Sequence, residues 1–293
     1  MPRVTIGVPV YNSESLLDQC LENLAAQTFK DFKVIVLDNA STDRTPAIAQ
    51  RFAARDARFV HIRQPHNKGA RQNFADALAM ADTAYFMWRA DDDRSDVNFV
   101  EEMVRLLDAH PHAALAVGRA VLEKKNDVRV KAFPFRRPFE PAALYRIRLL
   151  LRSRSTWIYG LFRTADAKES FARVYDGFPH VNAFDHLMMF PFLVTLRVVG
   201  SNATSFTTGF VERPGSAKKS GFIDPAEMEA LRRDFIAYCS ASLRDLFGAA
   251  TARLMTPVLW LYSERTYRWL KVVTARRRLQ RGEKPSGATT KYD

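Results

Sequence analysis

Four apolar runs in the first ninety residues constrain this chain more than any other feature. They are Val4–Val10, Phe32–Leu37, Arg58–Ile62 and Ala84–Trp88. Helix-patterned segments separate them. Ser13 is placed to cap a helix carrying Leu16, Leu17, Cys20, Leu21 and Leu24 at helical spacing. Thr45-Pro46 opens a second helix, with proline where a missing N–H is harmless. Residues 68–81 pattern as a third. Repeated β–α–β units predict an α/β fold, a mostly parallel central sheet flanked by helices, Rossmann-like in its first half.

In such sheets a ligand binds beyond the carboxyl ends of the strands. Polar clusters fall at those ends. Pro9-Val10-Tyr11-Asn12 closes the first run, and Asp38-Asn39-Ala40-Ser41-Thr42-Asp43 follows the second. Asp91-Asp92-Asp93 follows the fourth, ahead of a helix near Val97. Three consecutive carboxylates repel one another. Hard divalent cations, Mn²⁺ or Mg²⁺, favour oxygen ligands and bridge carboxylates to diphosphate oxygens. The triplet therefore reads as a metal–diphosphate site, against the alternative of a solvated acidic turn. His66-Asn67-Lys68-Gly69-Ala70-Arg71 enters a helix, and a helix start with nearby cations favours an anion.

Together these motifs resemble inverting family 2 glycosyltransferases of the GT-A fold, in order and spacing over about the first hundred residues. Gln27-Thr28-Phe29 and Asn73 join the match. The resemblance implies a nucleotide pocket shaped by Pro9, Tyr11 and Asn12, with Glu14 at its edge. It implies that Asp38 accepts hydrogen bonds from base or ribose, that Asn67, Gly69 and Arg71 flank ribose and diphosphate, and that the triplet holds the metal. Ala90 stands where relatives carry the first aspartate of the run. Either Asp92 alone is then the main ligand, or the pair shifts to Asp91 and Asp93. We assign the metal to Asp92 and Asp93, with Asp91 on the donor.

In the second half, Ala113–Val117 reads as a strand, 133–141 as a basic loop and 144–152 as a helix. Trp157–Arg163 resembles the family segment that reaches the acceptor, which implicates Trp157 and Tyr159. Asp185 falls where the family places its catalytic base, in Asn182-Ala183-Phe184-Asp185-His186. The reaction needs an ionised carboxylate near the incoming hydroxyl. His186 either touches substrate or packs within its helix. Val211–Gly221 resembles the family's mobile donor loop, which would bring Arg213, Ser216 and Lys218 to the diphosphate.

The expected organisation is a GT-A domain over 1–222, with a nucleotide-sugar half (1–112) and an acceptor half (113–222). A helical extension over 223–281 and a disordered tail over 282–293 complete it. Within the extension Thr256-Pro257 reads as a helix start, with Leu259, Tyr262, Trp269 and Val273 on one face and arginines on the other. That pattern suits an anionic membrane surface, packing on the domain, or a homodimer.

Lysine and arginine number 44 against 32 acidic residues, a net charge of +12 that favours anionic partners. The expected partners are a nucleotide-diphosphate sugar and a saccharide or lipid-linked acceptor. The acidic cleft edge and the lack of a basic–aromatic RNA motif argue against nucleic acid. Cys20 and Cys239 are too few for a disulfide framework and read as buried thiols. No signal peptide and no apolar run long enough to span a bilayer is evident, so a cytoplasmic location, at the inner face of the membrane, is expected. The rival readings are a nucleotidyltransferase, which lacks its glycine-rich phosphate loop here, and a non-catalytic basic module that binds membrane or nucleic acid. A nicotinamide dehydrogenase fails for want of GxGxxG after the first strand.

Overall fold

The structure, a computed structural model, describes residues 2–124, 127–180, 182–209 and 225–267. The first strands form where the apolar runs predict. They are β1 (Val4–Val10), β2 (Phe32–Asp38), β3 (Phe59–Arg63) and β4 (Tyr85–Trp88), paired in parallel in the order β3-β2-β1-β4. Every residue of β1 and β4 is buried, as expected of strands covered on both faces. Pro9 falls beyond the last β1–β4 pairing, Gly7 with Trp88, so its missing N–H removes no rung on that side.

Helices α1 (Leu17–Ala25), α2 (Thr45–Arg55) and α3 (Ala70–Ala79) connect these strands. Ser13 does not cap α1 with its side chain. Its carbonyl accepts from the Leu16 and Leu17 amides, and a turn intervenes before the helix. The Ser13 amide is instead held by Thr45 Oγ1 at 2.7 Å, which docks the turn on α2.

Beyond β4 the sheet becomes mixed. The three-residue β5 (Asp93–Ser95) precedes α4 (Phe99–Ala109), and β6 (Leu115–Lys124) pairs with β7 (Asp127–Lys131). Next come α5 (Ala142–Arg152), a 3₁₀ turn (Ser155–Tyr159), β8 (Leu161–Arg163), α6 (Thr164–Gly177), α7 (Phe184–Val194) and β9 (Val198–Gly209). The order continues β4-β8-β6-β9-β5, so one sheet runs through both halves of the chain. Strands β8 and β5 are antiparallel to their neighbours, whereas β6 and β9 are parallel.

Helix α7 is apolar on nearly all sides and buried from Leu187 to Phe190. Such a helix belongs inside a core, and only its first turn reaches the cleft. The C-terminal helices α8 (Pro225–Phe247), α9 (Ala249–Leu254) and α10 (Thr256–Tyr267) pack on the same core. Phe235, Cys239, Leu259 and Tyr262 are fully buried with α7. The described part of the extension is thus docked on the domain. No helix among the described residues is long and apolar enough to cross a membrane. Both cysteines are buried free thiols. Trp269, Val273, the arginines beyond Tyr267 and the tail lie outside the described residues.

Candidate active site

The carboxyl ends of β1, β2 and β4 open onto one edge, and short polar side chains tie the loops there together. Asn12 has φ +50°, a conformation asparagine tolerates. Its amide donates to Ser41 Oγ at 2.9 Å, and its Oδ1 accepts from the Thr42 amide at 2.8 Å. Glu14 accepts from the amide and Nε of Arg44, while its own amide donates to Asp43. Asn39, buried, donates to Asn67 Oδ1 at 2.8 Å and accepts from the Lys68 amide at 2.9 Å. Gly69, at φ +82°, makes the turn into α3 that a side chain would strain. Below them Asn73 donates to the Leu37 carbonyl at 3.1 Å. Tyr11, 41% exposed, stands above this network and Pro9 is buried beneath it. Tyr11, Asn12, Asn67 and Gly69 therefore share one exposed rim.

Two expected donor contacts are placed otherwise. Asp38 has a fully buried side chain. It accepts from the Ser41 amide at 2.8 Å and pairs with Arg63 at 3.0 Å, with His61 at 3.7 Å. Its carboxylate fixes the loop after β2. Arg71 donates to the Tyr175 carbonyl at 2.6 Å and lies over the Tyr175 ring at 4.3 Å. The end of α6 offers free helix carbonyls, which capture the guanidinium.

The acidic run crosses the edge beside them. Asp91 and Asp93 are buried, and Asp92 between them is half-buried. The run is clamped at its base. Arg89, fully buried, donates from Nη2 to Ser95 Oγ at 2.8 Å and lies 4.8 Å from the Phe206 ring centre. Asn23 of α1 exchanges two hydrogen bonds with the Ser95 backbone. Gln27 donates to the Asp96 carbonyl and accepts from the Val100 amide, which gives the Gln27-Thr28-Phe29 motif its role. On the other side β5 pairs with β9, Asp93 opposite Thr208. A Cβ on Gly209 would lie 2.8 Å from the Asp92 carbonyl, so only glycine passes there.

Burial first, then the Asp92 charge, pushes Asp93 well above the carboxylate range, against Arg89. Burial pushes the Cys20 thiol beneath the run up to about 12. The region thus carries a surplus of negative charge, and its donors are carboxylate oxygens. A hard divalent cation suits both features. Among the described residues no three acidic, histidine or cysteine groups converge on one point. A cation would take one or two protein carboxylates, Asp92 foremost, and complete its shell from a diphosphate.

Tyr159 links this run to the second half. Its ring stacks on Phe206 at 5.3 Å. Burial first, then Asp93, Asp92, Asp185 and Asp91, raises its phenol well above the ordinary value. Asp185 stands in the first turn of α7, where Ala183 (φ +65°) turns the chain into the helix. Its Oδ1 accepts from the His186 amide at 2.8 Å, and the residue is half-buried.

The other two residues expected on the acceptor side make packing contacts. Trp157 is 4% exposed and packs on Phe133 at 5.5 Å, a core side chain in an otherwise amphipathic segment. His186 turns to α10, its Nδ1 3.0 Å from the Tyr262 hydroxyl. It is the packed helix histidine of the two readings. Arg213, Ser216 and Lys218, with the whole expected donor loop, lie outside the described residues. Arg89 and Asn39 are the contributors that sequence reasoning missed. The signal available was their position, one residue ahead of the acidic run for Arg89 and directly after Asp38 for Asn39.

The family model described as Glycosyl transferase family 2 matches residues 5–168. Glycosyltransferase GlyA of Streptococcus pneumoniae is 30% identical over 116 residues, 40% of this chain and 16% of that protein. The chain spans less than half the length of the first curated relatives it matches. Among solved structures, S. aureus TarS in complex with UDP-GlcNAc superposes with a TM-score of 0.59 at 18% identity, over 94% of this chain and 82% of that one. Mannosyltransferase PcManGT from Pyrobaculum calidifontis, in complex with GDP-Man and Mn²⁺, gives 0.53 at 17% identity over 95% and 81%. These likenesses establish the same fold.

Proposed function

The chain belongs to glycosyl transferase family 2, and on that premise we propose that it transfers a sugar from a nucleotide-diphosphate donor to an acceptor hydroxyl with inversion. One observation carries the reading: Asp91–Asp93 are displayed from a loop clamped by Arg89 and Asn23 at the carboxyl edge of the sheet, Asp91 and Asp93 buried and Asp92 half-buried between them.

The nucleotide is assigned to the rim of Tyr11, Asn12, Asn67 and Gly69. Tyr11 is the exposed aromatic that offers a face to a base. Asn67 and Gly69 approach the ribose and diphosphate. Asp92, with Asp93 or Asp91, would hold Mn²⁺ or Mg²⁺, which when bound supplies a Lewis acid for the departing diphosphate. PcManGT, solved with Mn²⁺, supports that expectation. Arg213 and Lys218 would add positive charge to the same leaving group.

Asp185 takes the proton from the acceptor hydroxyl as its oxygen attacks the anomeric carbon from the face opposite the nucleotide. The bond to the diphosphate breaks as the new one forms, so the configuration inverts. The His186 amide, donating to Oδ1, holds the carboxylate at the start of the helix. Synthesis of a surface polysaccharide or glycolipid is the role expected of such a transferase.

The test is a thermal-shift screen with UDP-, GDP- and dTDP-sugars, each with and without Mn²⁺. One nucleotide class should raise Tm in a Mn²⁺-dependent way, followed by slow release of free sugar. A flat response to every nucleotide sugar contradicts the proposal.

A further inference from the structure

Three arginines, Arg152, Arg154 and Arg265, are gathered around Ser153, and none of them makes an ion pair among the described residues. Arg152 ends α5 and Arg154 leads into the 3₁₀ turn that carries Tyr159. Between them the Ser153 carbonyl accepts from Arg265 Nη2 of α10 at 2.9 Å, which brings the third cation to the same place. Ser153 itself is buried. Arg154 and Arg265 are half-buried and Arg152 is exposed, so the cluster reaches solvent. Two other arginines of these helices have acidic partners, Arg148 with Glu140 at 2.6 Å and Arg232 with Glu264 at 3.6 Å, whereas Arg146 lies over the Phe247 ring. No ion pair involves Arg152, Arg154 or Arg265 among the described residues.

The cations feel one another. Burial first and Arg152 second lower Arg154 from its ordinary value. Burial, then Arg154, brings Arg265 down to about 10. They also reach the catalytic turn. Burial lowers His186, next to Asp185, and Arg265 and Arg154 lower it further, against the Asp185 charge. Like charges held together without counter-charge are a standing cost to the fold. Arginine forks match phosphate oxygens bidentately, so a phosphate bound there would remove that cost.

We infer that Arg152, Arg154 and Arg265 form an anion subsite for a phosphate carried by the acceptor, placed beside the hydroxyl that Asp185 deprotonates. The acceptor assignment rests on the proposed transferase reading; the anion site does not. The elements that carry it, α5, the 3₁₀ turn and α10, contribute nothing to the β1–β4 loops that form the nucleotide rim. The subsite is therefore distinct from the place of the donor diphosphate. Two sources share this chemistry, a lipid-linked pyrophosphate and a phosphodiester polymer.

The experiment is calorimetric titration in EDTA, which silences a metal-dependent donor site. The probes are inorganic pyrophosphate, dodecyl pyrophosphate and a glycerol-phosphate trimer. The variants are Arg154→Gln and the double Arg152→Gln/Arg154→Gln. Neither side chain donates a hydrogen bond among the described residues, so both proteins should match the wild-type Tm. Wild type should bind pyrophosphate, with at least a tenfold loss in the double variant and none in Asp92→Asn. Tighter binding of the dodecyl ester assigns the lipid source, and tighter binding of the trimer assigns the polymer. Absence of binding, equal binding by wild type and double variant, or complete displacement by a saturating nucleotide diphosphate with Mn²⁺ overturns the subsite. Failure of the nucleotide-sugar screen would instead remove only the acceptor assignment.

Discussion

Arg89 donates to Ser95 Oγ at 2.8 Å and so closes the ends of the acidic run on each other. Both residues are buried, and the three aspartates between them are displayed from a clamped loop. A full positive charge beneath a surplus of negative charge makes the loop tolerable before any cation arrives. Arg89→Met removes that charge and leaves Asn23 and Ser95 short of a donor. Loss of one partner from a buried charged network costs on the order of 3 kcal/mol. Urea unfolding of wild type and variant measures it; a loss within error would show the clamp to be dispensable.

Asn39 joins the loop after β2 to the segment entering α3 through Asn67 and the Lys68 amide. Asn39→Ala leaves these groups without their partner, at a cost of about 1–3 kcal/mol. Because the rim residues Asn67 and Gly69 hang on it, donor affinity should fall with stability. Parallel thermal melts and nucleotide titrations check both. A destabilised variant with unchanged affinity would separate the network from the binding rim.

Much of this was legible in the sequence, and the parts that were not share a cause. The strands β1, β2 and β4 are written in continuous apolar runs, which are local. The acidic triplet and Asp185 are recognisable by type and place. Strand β5 is invisible because its three residues owe their form to β9, more than a hundred positions away. Arg71 and Asp38 carry the charges a donor site needs, but partners from other elements take them first. Those partners are the end of α6 for Arg71, and Arg63 for Asp38. Trp157 shows the same limit in an apolar side chain, since its depth depends on Phe133 and not on its neighbours in sequence.

Glu140 gives the fold a measurable acid limit. The hydrogen bond from Arg148 lowers its carboxyl from 4.5 to about 2. A depressed carboxylate stabilises the fold fully above its unfolded pKa and loses that contribution as pH falls toward the folded value. Wild type and Glu140→Gln should therefore differ most in Tm above pH 4.5 and converge as pH approaches 2. A constant difference across that window would contradict the linkage.

Asp185→Asn keeps the size of the side chain and removes its basicity. Transfer should fall by about 10²–10⁴ in kcat, the range of a lost general base, while donor affinity and Tm stay at wild-type values. Steady-state kinetics with a donor from the nucleotide screen decides it. Transfer near the wild-type rate would place the base elsewhere.

We propose that the clamped carboxylates grip a cation which in turn grips the donor diphosphate. The most direct test is calorimetric titration of the donor nucleotide into wild type and Asp92→Asn, each in Mn²⁺ and in EDTA. Mn²⁺ should tighten wild-type binding at least tenfold and leave the variant unchanged. Equal affinity in Mn²⁺ and EDTA, or a Mn²⁺ effect that survives in Asp92→Asn, would contradict it.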